Sequence, residues 1–183
     1  SFYYTKESFD ETYPGYGSSY PDVQGAIAIL FEQASSRGHL QETNYGTMSF
    51  GFTIRNQYLS SIATVEAAVD NKELLRDYQM RFFNSSLEEF SDEKVKAYEF
   101  GDMYDQNRNK AFIDKLLLHN IKVFNSKGRY AVPVNQTQSR MVKNFFETHN
   151  KYVDSVFYDA SAWSVSNMYN MKSKKLKSFI GES

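Results

Sequence analysis

GAIAILFEQASSRGH, residues 25–39, is the stretch whose reading decides the fold. From Ala26 to Phe31 every side chain is apolar and isoleucine recurs, with no helical spacing of polar and apolar positions. The run is too short to cross a bilayer, which takes roughly 18–20 residues. It is therefore expected to be a strand buried on both faces, as in the interior of an α/β sheet. The strand closes on a carboxylate, Glu32, followed by Ala34, Ser35, Ser36 and the turn marker Gly38. Ligands of open α/β sheets sit just beyond the carboxyl ends of the strands, so Glu32 stands where a reactive group would be placed. Buried, it would need a partner, a raised pKa or access to water. The plain alternative is a glutamate that emerges into solvent where the strand ends, because Glu is seldom buried.

The 183 residues suit one ordinary domain or two small or incomplete ones. A net charge of −1, with acidic and basic residues interspersed, leaves no electrostatic footprint for nucleic acid or an anionic membrane. No nucleic-acid or membrane partner is expected. Cysteine is absent, which excludes disulfides, thiolate metal sites and a cysteine nucleophile. The 14 Tyr and 15 Phe are enough aromatic surface for a core. SFYYTKES at the start is not a signal peptide and carries no initiator Met, so the chain is expected to be a piece of a longer protein.

In chain order, Phe2–Thr5 is a short strand candidate, and Glu7–Asp22 is a loop broken by Pro14, Gly15, Gly17 and Pro21. His39–Gly51 reads as irregular. From Phe52 the spacing of Ile54, Tyr58, Ile62, Val65 and Val69 predicts a helix, interrupted at Asp70-Asn71 and resumed through Leu74, Tyr78 and Phe82 to Asn84. Polar, acidic Ser85–Lys94 is the best linker. Beyond it Val95–Phe100 reads as a strand and Gly101-Asp102 as a turn. A helix follows, capped by Asp105 and ending near Asn120, and then a strand at Ile121–Phe124. That is a βαβ unit of the parallel-sheet kind. Tyr130–Val134 is pushed toward a sheet edge by Pro133. Met141, Val142, Phe145, Phe146 and His149 share a helical face, Val156–Tyr158 is strand-like, and Lys172–Lys177 reads as a solvated basic tail.

FEQASSRG, preceded by YPGYGSSYPD, resembles the last catalytic strand of zinc carboxypeptidases of the carboxypeptidase A type. KAYEFGD (96–102), VPVNQTQ (132–138) and DSVFYDASAW (154–163) resemble segments of the amidotransferase-like domain that follows the peptidase domain in the long bacterial members. The resemblance implies an α/β fold. Residues 1–84 would be the end of a carboxypeptidase-like mixed sheet with helices, 85–94 a linker, and 95–183 a partial βαβ amidotransferase-like domain. It implies that Glu32 is the general base of zinc-dependent hydrolysis of C-terminal peptide bonds. A substrate-closing tyrosine would be Tyr13 or Tyr16. Tyr16 is preferred because Gly15 and Gly17 leave its backbone nearly unrestrained, though a turn aromatic packed on the surface fits the same pattern. The family's H-x-x-E pair, third zinc ligand and substrate-gripping arginines have no match here. Zinc is therefore expected in the intact enzyme and not on this chain, which by itself would be inactive toward a peptide substrate. An exported or periplasmic setting is implied only by the resemblance. Truncated sheet edges would favour homo-oligomers. A different class of reading makes the chain a non-catalytic α/β interaction or scaffolding module, a view that the missing cysteine nucleophile favours.

Other chemical patterns are weaker. His39-Leu40-Gln41-Glu42 has H-x-x-E spacing but follows Glu32, the reverse of the family's order, and lies among glycines that indicate a loop. His119 ends a helix, where a cationic side chain suits the macrodipole. His149 reads as a core or boundary histidine, and Asp154 with Asp159 as a pair lacking further partners. The N-x-S/T tripeptides at Asn84 and Asn135 are of a form common by chance.

Overall fold

The computed structural model describes residues 14–31, 33, 36–126, 128–148 and 164–180. Expectations for Phe2–Thr5, Tyr13, Glu32, His149, Asp154, Val156–Tyr158 and Asp159 lie outside the described residues. The chain is a mixed α/β structure with antiparallel sheets, divided into two compact units: 1–28 with 79–183, and 29–78.

The larger unit contains the hydrophobic core. Strand β3 (Ala97–Phe100) alternates: Tyr98 and Phe100 are buried on one face, while Glu99 between them is only partly covered. One-sided alternation of this kind marks a sheet with helices on one face. Helix α3 (Gln106–Leu118) supplies Phe112 and Leu116, and α4 (Ser139–Phe146) supplies Met141, Val142, Phe145 and Phe146. Phe112 meets Phe100 edge to face with centroids 5.0 Å apart, and Phe146 stacks on Tyr98 at 4.8 Å. Asp105 caps α3 by accepting the Arg108 N–H, as its sequence position indicated.

Four strands lie in the order β4-β5-β3-β6, with β4 at Phe124–Ser126, β5 at Arg129–Pro133 and β6 at Ser173–Leu176. Every neighbouring pair is antiparallel, which corrects three expectations. First, β3 and β4 do run the same way around α3, but β5 is inserted between them, so no parallel pair forms. Second, β5 is an inner strand, and Pro133 is tolerated because it stands at the strand's last position, opposite Ala97. Third, the basic stretch is an edge strand, with Lys174 opposite Glu99 and Lys175 opposite Tyr98. Lysine on an edge discourages pairing with further chains. A short helix, α5 (Val165–Met168), precedes β6 and buries Val165 and Ser166.

The smaller unit holds a hairpin of β1 (Leu40–Thr43) and β2 (Gly46–Ser49), then α1 (Phe50–Asp70) and the start of α2 (Lys72–Glu89). The hairpin replaces the irregular segment expected at 39–51. Its two-residue turn, Asn44-Tyr45, is held by the Thr43 hydroxyl, which donates to the Gly46 carbonyl at 2.7 Å and accepts the Tyr45 N–H. Ser49 caps α1 through the Phe52 N–H, and the helix break falls at Asn71, as the sequence indicates.

The largest departure is at 26–31. This stretch forms no strand, and Ile27, Ile29, Leu30 and Phe31 are 46 to 60 % exposed. β-propensity is a preference for packing within a ladder, and no described strand pairs with these residues. Ser85–Lys94 is likewise no free linker. Helix α2 runs to Glu89, Ser86 is buried with its hydroxyl donated to the Thr137 carbonyl at 3.0 Å, and Phe90 joins the core.

Candidate functional site

Of the residues assigned to chemistry, Tyr16 is the one whose place is described. It sits half-buried in the turn 14–21, and its carbonyl accepts the N–H groups of Ser19 and Tyr20 at 3.2 and 3.0 Å. Ser19 is buried with no partner for its hydroxyl among the described residues. A 3-10 turn at Asp22–Gln24 follows, ended by Gly25 at φ +69°.

This segment is built into the α/β unit at four points. The Tyr20 hydroxyl lies 3.1 Å from His119 Nδ1, and the His119 ring packs against Phe145 at 5.4 Å. Val23 packs on the core. The Gln24 and Gln138 side-chain amides face one another in a reciprocal pair at 3.3 Å, and Gln79 donates to the Gln24 carbonyl. Gly25 is buried so tightly that a Cβ there would come within 2.9 Å of the Phe82 ring. Burial, and after it the Lys115 ammonium, hold His119 below its ordinary pKa. The structure therefore favours the neutral imidazole, contrary to the cationic helix end expected from the macrodipole.

At the carboxyl end of β3, where open sheets place ligands, the turn is occupied by its own side chains. Gly101 takes φ +135°, and Asn109 bridges the turn, accepting the Asp102 N–H at 2.8 Å and donating to the Asp102 carbonyl at 2.7 Å. Arg108 is shared between Asp102 and Asp105 at 3.1 Å each. Its guanidinium is thus committed to carboxylates of the same turn, leaving exposed Met103 and Tyr104 at the tip. The KAYEFGD resemblance ends on this clamp.

VPVNQTQ proves to be a second clamp. Gln136 is buried, donating to the Pro133 carbonyl at 2.7 Å and accepting the Lys122 N–H at 2.8 Å. The buried Ser139 hydroxyl accepts the Gln136 N–H and shares its one proton between the Val134 and Gln136 carbonyls. Nearby, Tyr98 donates to Glu147 at 3.0 Å, and Lys143 bridges Glu147 to Glu93. Burial, then the Glu147 carboxylate, push the Tyr98 phenol up, while the hydrogen bond from Lys143 leads the causes that lower Glu93. The Tyr98–Glu147 and Lys143–Glu93 pairs join residues 49 and 50 positions apart, so local sequence patterns carry no sign of them. The run of amide and hydroxyl side chains at 135–139 is the local signal that could have pointed to a segment that bonds backbone.

His39 immediately precedes β1 and Glu42 lies within it, so three-residue spacing in extended chain sends the two side chains to opposite faces. Glu42 instead accepts the Thr47 hydroxyl across the hairpin at 2.9 Å. Among the described residues no three His, Asp or Glu side chains gather closely enough to hold a metal. No described helix is long and apolar enough to cross a membrane. No protein-family model, curated protein or solved structure matches the chain.

Proposed function

We propose that the chain is the C-terminal part of a zinc carboxypeptidase-like protein of bacterial type, hydrolysing C-terminal peptide bonds when intact. Glu32 is the general base that moves a proton from water to the leaving amine, and Tyr16 or Tyr13 closes over the peptide. The described residues do not fit a zinc site by themselves, so in this reading the metal ligands come from a preceding segment.

One observation carries the reading. On α1 the stripe Ile54, Tyr58, Ile62, Val65 and Val69 is 40 to 63 % exposed along its whole length. At 1.5 Å per residue it runs for about 22 Å. Ile29, Leu30 and Phe31 are 46 to 60 % exposed, and among the described residues of 29–78 only Ser36 and Thr53 are buried. Apolar surface of this extent marks a face that another layer covers. In this reading the covering layer is the sheet of the peptidase domain, supplied by the preceding segment.

The second reading, a non-catalytic α/β scaffolding module, is favoured by the committed state of Arg108, Asn109 and Gln136, whose polar groups tie down turns. The test is Glu32→Gln in the intact product. Turnover of an N-blocked dipeptide is expected to fall by at least about 10²- to 10⁴-fold with zinc content unchanged. An active variant removes Glu32 from the role, and an intact product without zinc or peptidase activity leaves the scaffolding module.

A further inference from the structure

We infer that the outer edge of β6 is a docking site for an acidic, extended peptide segment, which adds to the sheet as a fifth strand. β6 ends the order β4-β5-β3-β6 and, among the described residues, has β3 as its one neighbour. Such an edge offers a row of backbone N–H and C=O groups to another chain. The Leu176 carbonyl accepts the Lys96 N–H at 2.7 Å, so Leu176 turns its backbone toward β3. By the alternation of an antiparallel ladder, Ser173 and Lys175 turn theirs outward. The chain then bends at Lys177 and brings Phe179 to Phe124 of β4, at the opposite edge, with ring centroids 5.7 Å apart. Residues 177–179 therefore lead away from the outer edge of β6.

Charge selects the partner. Four of the six residues at 172–177 are lysines, all of them exposed. In register with β3, Lys174 shares the face of Glu99 and Lys175 the face of Tyr98, so ammonium groups stand on both faces of the edge. The Glu99 carboxylate already answers Arg129, at 3.7 Å. A second copy of β6 would set lysine against lysine, whereas a strand rich in Asp or Glu sets carboxylates against them. A phosphate backbone would bring acceptors but no donors for the outward carbonyls. An extended peptide supplies both.

A fluorescent heptapeptide of alternating Glu and Val, blocked at both ends, tests this on the 183-residue chain. Saturable binding is expected, weakened about tenfold when every Glu is replaced by Gln and again by raising salt from about 0.05 to 0.5 M. Bound peptide should slow amide exchange at Ser173 and Lys175 about tenfold, which a purely ionic contact would not do. Lys174→Gln with Lys175→Gln should weaken binding about five- to tenfold, and Lys175→Gln alone about threefold. Lys175→Pro deletes an outward N–H and no bond to β3, and should abolish binding. Lys172→Gln with Lys177→Gln, outside β6, should weaken it about threefold and keeps the test open should the strand variants unfold. Absent binding, or equal binding of the Gln peptide, overturns the proposal and leaves the lysines as guards against self-pairing. Unchanged exchange, or a Lys175→Pro chain that binds as well as Lys175→Gln, overturns strand addition. Tighter binding of an oligothymidylate of matched charge overturns the choice of a peptide.

Discussion

The two units handle apolar side chains in opposite ways. In the larger one Tyr98, Phe100, Phe112, Leu116, Val132 and Met141 are fully buried, and the sheet face opposite the helices carries Glu99, Arg129 and Lys174. In the smaller one the comparably regular apolar stripe of α1 stays 40 to 63 % exposed. Both helical patterns were equally legible in the sequence. The difference teaches that amphipathic periodicity specifies a helix and a face, whereas burial depends on whether the fold supplies an opposing surface.

The largest expected effect lies on the filled side. Phe112→Ala removes the ring that touches Phe100, Phe146 and Tyr169 and should cost about 3–5 kcal/mol, read by chemical denaturation of the α/β unit. A much smaller loss would mean that this core is looser than its ring contacts indicate. Gly25→Ala comes next. A left-handed backbone and overlap with Phe82 together should destabilise the larger unit by about 1–3 kcal/mol.

Acid is expected to act on the same unit more gently. His119 is neutral in the fold because burial and Lys115 lower its pKa from 6.5, so the unfolded chain binds the proton first as pH falls. The stability this provides is complete above pH 6.5 and is lost as pH drops through the lowered folded value. Glu93, lowered from 4.5, gives a loss of the same sign in a more acidic window. Denaturation midpoints measured across these windows should decline in two stages, and His119→Gln should abolish the upper one.

The smallest effect belongs to the open side. Ile54→Ala should change the stability of this chain by no more than about 0.5 kcal/mol. In the intact product, where the proposed covering layer is present, the same change should cost about 2 kcal/mol or more. Equal, negligible costs in both would mean that the stripe stays uncovered.

Where reasoning from sequence succeeded, the controlling interactions are local. The Asp105 cap spans three residues, the α1–α2 break turns on Asn71, and the strand read at Val95–Phe100 is found at Ala97–Phe100. Where it failed, the deciding partner is distant. The run 26–31 is as apolar as an inner strand, yet a strand exists only with a neighbour to bond. Conversely, β6 was hidden in a lysine-rich stretch because its pairing with β3 joins residues more than seventy positions apart. Pro133 argued for an edge, and the register with Ala97 allowed it inside the sheet.

For the candidate site the division is the same. By itself the sequence determined the residue types available: a carboxylate after an apolar run, a tyrosine between glycines, no cysteine, and helices with their caps and faces. Tertiary structure alone decided that the tyrosine loop is fastened to the α/β unit, that Arg108 and Gln136 are spent on holding turns, and that His119 is neutral. Composition and spacing fix what a side chain can do, but hydrogen-bond partners and desolvation, which select what it does, come from residues that only folding brings within reach.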